Sequence, residues 1–222
     1  MAHTSTDNSV LERLKNILEL RMSRAPGTRA EADLCLSMKR WGGRPLLMVL
    51  DASFTSVGLG YFRSVVPAVQ RFQSSGLCCS LRDLEGMSME VLRLFWRNRR
   101  SWEVALGIAS HLVHLQEERD LSERQALAWW ARSCGPENWR EDPISQIKGV
   151  GINTFQYLRM MGGVDTAMPD KIVRSVVEGI LRDASWETNV EGDLALIETV
   201  NELGRLTGYR SADICWMCWL LQ

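Results

Sequence analysis

Apolar residues recur at helical spacing along almost the whole chain. Leu11, Leu14, Leu18 and Met22 fall at i, i+3, i+7 and i+11, and Val104, Ile108, Leu112 and Leu115 follow a similar stripe. Ile172, Val173, Val176, Val177, Ile180 and Leu181 form a broader apolar face on another segment. No alternating Val, Ile or Thr stretch bounded by turn residues competes for a strand. The pattern therefore predicts an all-α protein.

Helix punctuation divides the chain further. Ala25-Pro26-Gly27 ends the first helix and Gly42-Gly43 the second. Ser122-Glu123-Arg124-Gln125 reads as a capping box that opens a helix running to about Cys134, closed by Gly135-Pro136. Asp142-Pro143 opens a short helix, because proline is tolerated in a first turn. Gly162-Gly163 to Pro169 reads as a loop, and Asp170 heads the next helix. Two more, near 191–204 and 210–221, complete about ten or eleven helices. No internal repeat or low-complexity segment interrupts them.

Composition narrows the class. With 222 residues, 45% hydrophobic and a formal net charge of −1, the chain has material for one compact domain or two small lobes. Low hydrophobicity with high net charge marks disorder, and neither holds. No apolar run approaches the roughly 20 residues that span a bilayer. The opening MAHTSTDNS has no basic region followed by an apolar stretch, so no signal peptide is expected. A soluble, intracellular protein with no membrane partner is the expectation. Near-zero charge argues against coating nucleic acid by bulk electrostatics, but it leaves room for a local basic face. Of the 26 basic residues only Lys15, Lys39, Lys148 and Lys171 are lysines. Among six cysteines, Cys215-x-x-Cys218 is a lone pair without a second pair at zinc spacing, which favours free thiols over a metal site.

The stretch richest in chemistry is Ile147-Lys-Gly-Val-Gly-Ile-Asn-Thr-Phe-Gln-Tyr-Leu158. A short helix ends at a Gly-Val-Gly turn and a new helix begins at once. Gly149 and Gly151 permit tight backbone geometry and let a ligand approach without a Cβ in the way. The amides of the turn and of the following first helical turn point outward together, which suits a phosphate oxygen.

This stretch resembles the hairpin of the HhH-GPD superfamily of DNA base-excision glycosylases, which commonly reads Leu-Pro-Gly-Val-Gly. The family's catalytic Asp heads a helix beyond the hairpin; here Asp170 stands 17 residues after Asn153. Gly163-Val-Asp-Thr-Ala-Met-Pro-Asp170 looks like the Gly-x-Asp-Thr-x-x-Pro-Asp lead-in of one branch. Leu50-Asp-Ala-Ser-Phe-Thr-Ser-Val57 is similar, more weakly, to an early family helix ending in a Gln-rich turn. The resemblance runs from about residue 46 to 182. It implies that Asp170 stabilises positive charge on the sugar and orients the attacking water, with the target nucleotide flipped from the duplex. A helix N-terminus favours an ionised carboxylate there. As a residue type, Asp after Pro is equally an ordinary N-cap worth about 1 kcal/mol.

Three departures shape the expectation. Bifunctional relatives carry a Schiff-base Lys two residues after the last hairpin Gly, where this chain has Asn153; an amide cannot do that chemistry. The resemblance therefore implies a monofunctional, water-using enzyme. Lys171 beside Asp170 reads as a phosphate contact or a solvated lysine, with a substitute amine as the sharper alternative, and Lys148 in place of the usual Pro reads as a phosphate contact. Endonuclease III-type relatives ligate an iron–sulfur cluster with four C-terminal cysteines; only Cys215 and Cys218 occur, so no cluster is expected. Ser53 and Phe54 occupy the region where relatives present Gln to the duplex, and Phe54 reads either as core or as a wedge between bases.

Other features stay open. Arg93, Arg97, Arg99 and Arg100 with Trp96 and Trp102 form the densest basic cluster, readable as phosphate and base contacts or as a solvated turn. His111 and His114 lack a ligand at metal spacing and read as surface or core histidines. For the nine tryptophans, Trp129, Trp130 and Trp139 among them, helix packing is the default.

The expected fold is thus a two-lobed, all-α HhH-GPD architecture. Residues 45–165 hold the helix-hairpin-helix (142–162), while 1–44 and 166–222 form a second lobe carrying Asp170, and the flipped nucleotide enters the cleft between them. The implied function is a monofunctional DNA glycosylase in base-excision repair, acting on double-stranded DNA with a damaged or mismatched base. Lys148, Gly149, Val150, Gly151, Asn153, Thr154 and Lys171 are the expected DNA contacts. No cofactor or metal is expected; a monomer in the cytoplasm and nucleoid, or a eukaryotic nucleus, is. A catalytically inactive DNA-binding or lesion-recognition module on the same fold is the alternative. A helical protein–protein adaptor unrelated to DNA is a third reading.

Overall fold

The computed structural model describes residues 8–222 apart from Val57 and Leu59. Most of the segment searched for a leader, and the last residue of the Leu50–Val57 segment, thus lie outside the described residues. Those described fold into thirteen α-helices with three short helical turns and no strand. The chain is all-helical. The count exceeds the ten or eleven predicted because helices as short as Leu81–Glu85 and Met89–Phe95 hold too few apolar repeats to show a period.

The chain divides into two compact units, 1–33 with 165–222 and 34–164. The terminal unit contains α1 (Asn8–Ser23), the start of α2 (Thr28–Leu36), α11 (Lys171–Ala184), α12 (Asp193–Thr207) and α13 (Ser211–Leu220). Leu14 and Leu18 of α1 are fully buried, as are Val173, Val177 and Ile180 of α11. This is the stripe that the sequence shows. Arg13 of α1 donates to the carbonyl of Ala184 at the C-terminus of α11, 3.0 Å away, where a cation complements the helix dipole. Nearly all of α13 is buried, in keeping with its lack of polar residues outside Ser211 and Asp213.

The central unit contains α3 (Pro45–Thr55), α4 (Val66–Ser75), α5 (Leu81–Glu85), α6 (Met89–Phe95), α7 (Arg99–Arg119), α8 (Glu123–Ser133), α9 (Pro143–Gln146) and α10 (Ile152–Met161). Its middle is α3, which is buried from Pro45 to Phe54 and packs on α7 and α10. The capping box at the head of α8 forms as its sequence predicts, with Ser122 and Gln125 bonded reciprocally. Residues 34–44, expected with the terminal lobe, belong here instead. The side chains of Arg40 and Trp41 are hydrogen-bonded to Asp51 of α3, which ties that stretch to the central core.

No helix among the described residues is long and apolar enough to cross a membrane.

Candidate nucleic-acid interface

The hairpin assembles within the central unit. Asp142 caps α9 by accepting from the Ile144 amide at 2.9 Å, and the Trp130 indole donates to both of its oxygens at 3.1 Å. The turn closes through the Val150 amide on the Ile147 carbonyl, 2.9 Å. It lies against α7 so closely that a Cβ on Gly107 would sit 2.9 Å from Cγ2 of Ile147. Gly149 has φ +112°, and a Cβ there would meet Nε of Arg100 and Cγ2 of Val104, each at 2.9 Å. Glycine is therefore required at 149 by conformation and by space.

Gly151 differs. It is the exposed N-cap of α10, its φ of −103° suits any residue, and a Cβ would meet nothing within 4 Å. No side chain caps α10, so the amides of its first turn face outward without a side-chain acceptor. Lys148 is exposed beside them. Val150 and Thr154 are buried, so only their backbone can serve a ligand. Asn153 is half-buried, and its Oδ1 has no hydrogen-bond partner.

The close approach at Gly149 brings one member of the basic cluster, Arg100, to the hairpin. Arg93, Arg97, Arg99 and Arg100 are exposed, and Arg99 pairs with Glu103 at 2.8 Å. The aromatic half of the cluster does not join them. Trp102 is fully buried and donates to the Trp96 carbonyl at 2.7 Å, while Trp96 stacks on Phe54 with ring centroids 4.8 Å apart. This corrects both the base-stacking reading of the tryptophans and the wedge reading of Phe54: all three are core. Ser53 is fully buried too. The apolar side chain that does protrude is Leu94, 81% exposed between Arg93 and Arg97 in sequence. A leucine inside an arginine-rich corner was the signal for it.

Asp170 and Lys171 lie in the terminal unit. Oδ1 of Asp170 accepts from the amides of Ile172 and Val173, both at 2.8 Å, and Oδ2 accepts from the Trp219 indole at 2.7 Å. Burial raises its pKa above the usual carboxylate range, against the lowering effect of those donors. The other acid of the Gly163–Asp170 segment is a cap as well. Asp165 accepts from the amides of Ala212 at 2.9 Å and Ser211 at 3.3 Å, at the start of α13. Lys171 is exposed. Cys215 and Cys218 are fully buried free thiols, and burial pushes both pKa values well up. Burial lowers the pKa of half-buried His111. Among the described residues no three His, Cys, Asp or Glu side chains cluster as metal ligands.

One buried constellation escaped the sequence reading. Oδ2 of Asp51 accepts from Nε of Arg40 at 3.0 Å, the Trp41 indole at 2.7 Å and the hydroxyls of Tyr61 and Tyr157 at 3.0 Å each. Its Oδ1 has no hydrogen-bond partner. Burial pushes both tyrosine hydroxyls well above their usual pKa, which keeps them protonated as donors. An acid directly after Leu46-Leu-Met-Val-Leu50 was the available signal, because a charge in a fully apolar run needs partners.

Comparison of the chain with protein-family models, with curated proteins and with solved structures finds no match to any of the three.

Proposed function

We propose that this chain is a monofunctional DNA glycosylase of two-lobed HhH-GPD architecture. It binds duplex DNA through the hairpin and hydrolyses the N-glycosidic bond of a flipped, damaged or mismatched base. The observation that carries the reading is the uncapped, Cβ-free start of α10 at Gly151, flanked by the exposed cations Lys148 and Arg100. Outward amides with adjacent unburied cations form a phosphate site that needs no base contact. Leu94 is the apolar side chain available to enter the stack.

In this reading Asp170 supplies the anion that the developing sugar cation requires. Three donors fix its carboxylate, and a fixed charge stabilises a transition state without reorganisation. Oδ2 keeps acceptor capacity for the attacking water. Asn153 has no amine to form a Schiff base, so water is the nucleophile.

A DNA-binding module without catalysis is the second reading, favoured by one observation: capping α11 and holding Trp219 account for Asp170 structurally. A panel of duplex oligonucleotides bearing alkylated, oxidised or deaminated bases separates the two. Base release from at least one duplex, abolished in Asp170→Asn with duplex binding retained, supports the enzyme. Release by Asp170→Asn at the wild-type rate would overturn the assignment of Asp170, and binding without any release would leave the module. Borohydride should trap no covalent complex.

A further inference from the structure

Helix α8 has two faces of different character. Ala126, Leu127, Trp130 and Ala131 are buried in the central unit. The other face, with the turn before it, opens a groove of about 470 Å³ lined by Leu121, Gln125, Ala128, Trp129, Arg132 and Ser133. Trp129 is 40% exposed, and the Arg119 guanidinium lies over its ring, 3.9 Å from the centroid. Neither Arg119 nor Arg132 is in an ion pair among the described residues, although Arg82, Arg99, Arg174 and Arg205 on other surfaces are.

We propose that this groove docks an acidic segment of another protein. The segment places a bulky apolar side chain on Leu121, Ala128 and Trp129 and directs carboxylates to Arg119 and Arg132. An indole already held by a stacked guanidinium loses little freedom on binding, as an anchor should. Guanidinium forks take carboxylates in bidentate pairs, and no lining residue is acidic. The volume suits one or two side chains. A nucleic-acid strand fits less well. The groove and its rim offer two cations, Arg132 and Arg119, too few for a backbone charged at every nucleotide, whereas a peptide places its few carboxylates selectively. The docking surface is independent of the glycosylase reading.

Selection of a phage-displayed random peptide library on the full chain, with Trp129→Ala and Arg132→Glu chains as counter-selection, tests this. The expected result is enrichment of peptides that pair a Trp, Phe or Leu with Asp or Glu. The synthetic winners, labelled with fluorescein, should bind the wild type and lose about tenfold or more in affinity on each variant. Arg132 is exposed, so the thermal midpoint of Arg132→Glu should not move; Gln125→Glu, adding a like charge on the same wall, gives a third variant that should also weaken binding. No enrichment, enrichment of sequences without acids, affinity unmoved by the three variants, or tighter binding of a mixed-sequence single-stranded oligonucleotide would each overturn the proposal.

Discussion

Asp170, the proposed catalytic acid, is also the cap of α11 and the acceptor for Trp219. Asparagine keeps the cap on α11, but its amide leaves one donor facing another, either at the Trp219 indole or at the backbone amides. Asp170→Asn should therefore cost about 1–3 kcal/mol in urea unfolding, and adding Trp219→Phe should recover part of it. The pH dependence follows from the raised native pKa. The folded chain holds the Asp170 proton at pH values where the unfolded chain has lost it. Wild-type stability relative to Asp170→Asn should then be greatest at the acid end and fall as pH rises from the ordinary carboxylate range through the native value, levelling above it. A difference that rises with pH in unfolding experiments would contradict this. The two hairpin glycines make a second contrast. Gly149→Ala is strained by its φ and by Arg100 and Val104, and should cost about 1–3 kcal/mol. Gly151→Ala has open space and should change stability by less than about 0.5 kcal/mol. If the first turn of α10 meets a phosphate, Gly151→Ala should nevertheless weaken duplex binding, measured by fluorescence anisotropy.

Helices long enough to show a period were legible, and so were caps whose partners lie within three residues. The box at Ser122 and Gln125, the Asp142 cap and the Asp170 cap all appear where the sequence places them. Elements held by distant partners were not. Tyr157 lies 106 residues from Asp51, and nothing local in α10 announces that its hydroxyl ends on α3. Trp96 and Trp102 sit among four arginines, so their neighbours suggested a wet surface while their rings fill the core. That Asp51 constellation is what ties α10, and with it the second arm of the hairpin, to α3. Asp51→Asn leaves the buried Arg40 without its carboxylate and should destabilise the chain by about 3–5 kcal/mol in denaturant unfolding. A loss below about 1 kcal/mol would mean that apolar packing alone holds the two helices together.

For the molecule as a whole, a net charge of −1 constrains the proposed binding of duplex DNA. With no global attraction, affinity has to come from a few local cations and from uncharged amides. Duplex binding should therefore show a modest salt dependence, with log K falling against log salt at a slope of about −2 to −4. Lys148→Gln and Arg100→Gln should each reduce that slope by about 1. Affinity indifferent to salt would exclude the hairpin corner as the binding surface. The arginine-rich composition was visible from the start, but which arginines reach solvent was not. Those of the cluster stay exposed, Arg100 beside the hairpin, whereas Arg40 is spent inside the core.

The bonds from Asp165 and Asp170 to α13 also impose an order on synthesis. A ribosome delivers Asp165 47 positions before Ala212, and Asp170 49 positions before Trp219. While the intervening helices emerge, Asp170 can cap its own helix, but its second oxygen faces water. Only when Trp219 has left the exit tunnel is that oxygen seated. If this carboxylate is the catalytic group, a nascent chain carries it unarmed until α13 has folded against it, and translation itself times the onset of activity.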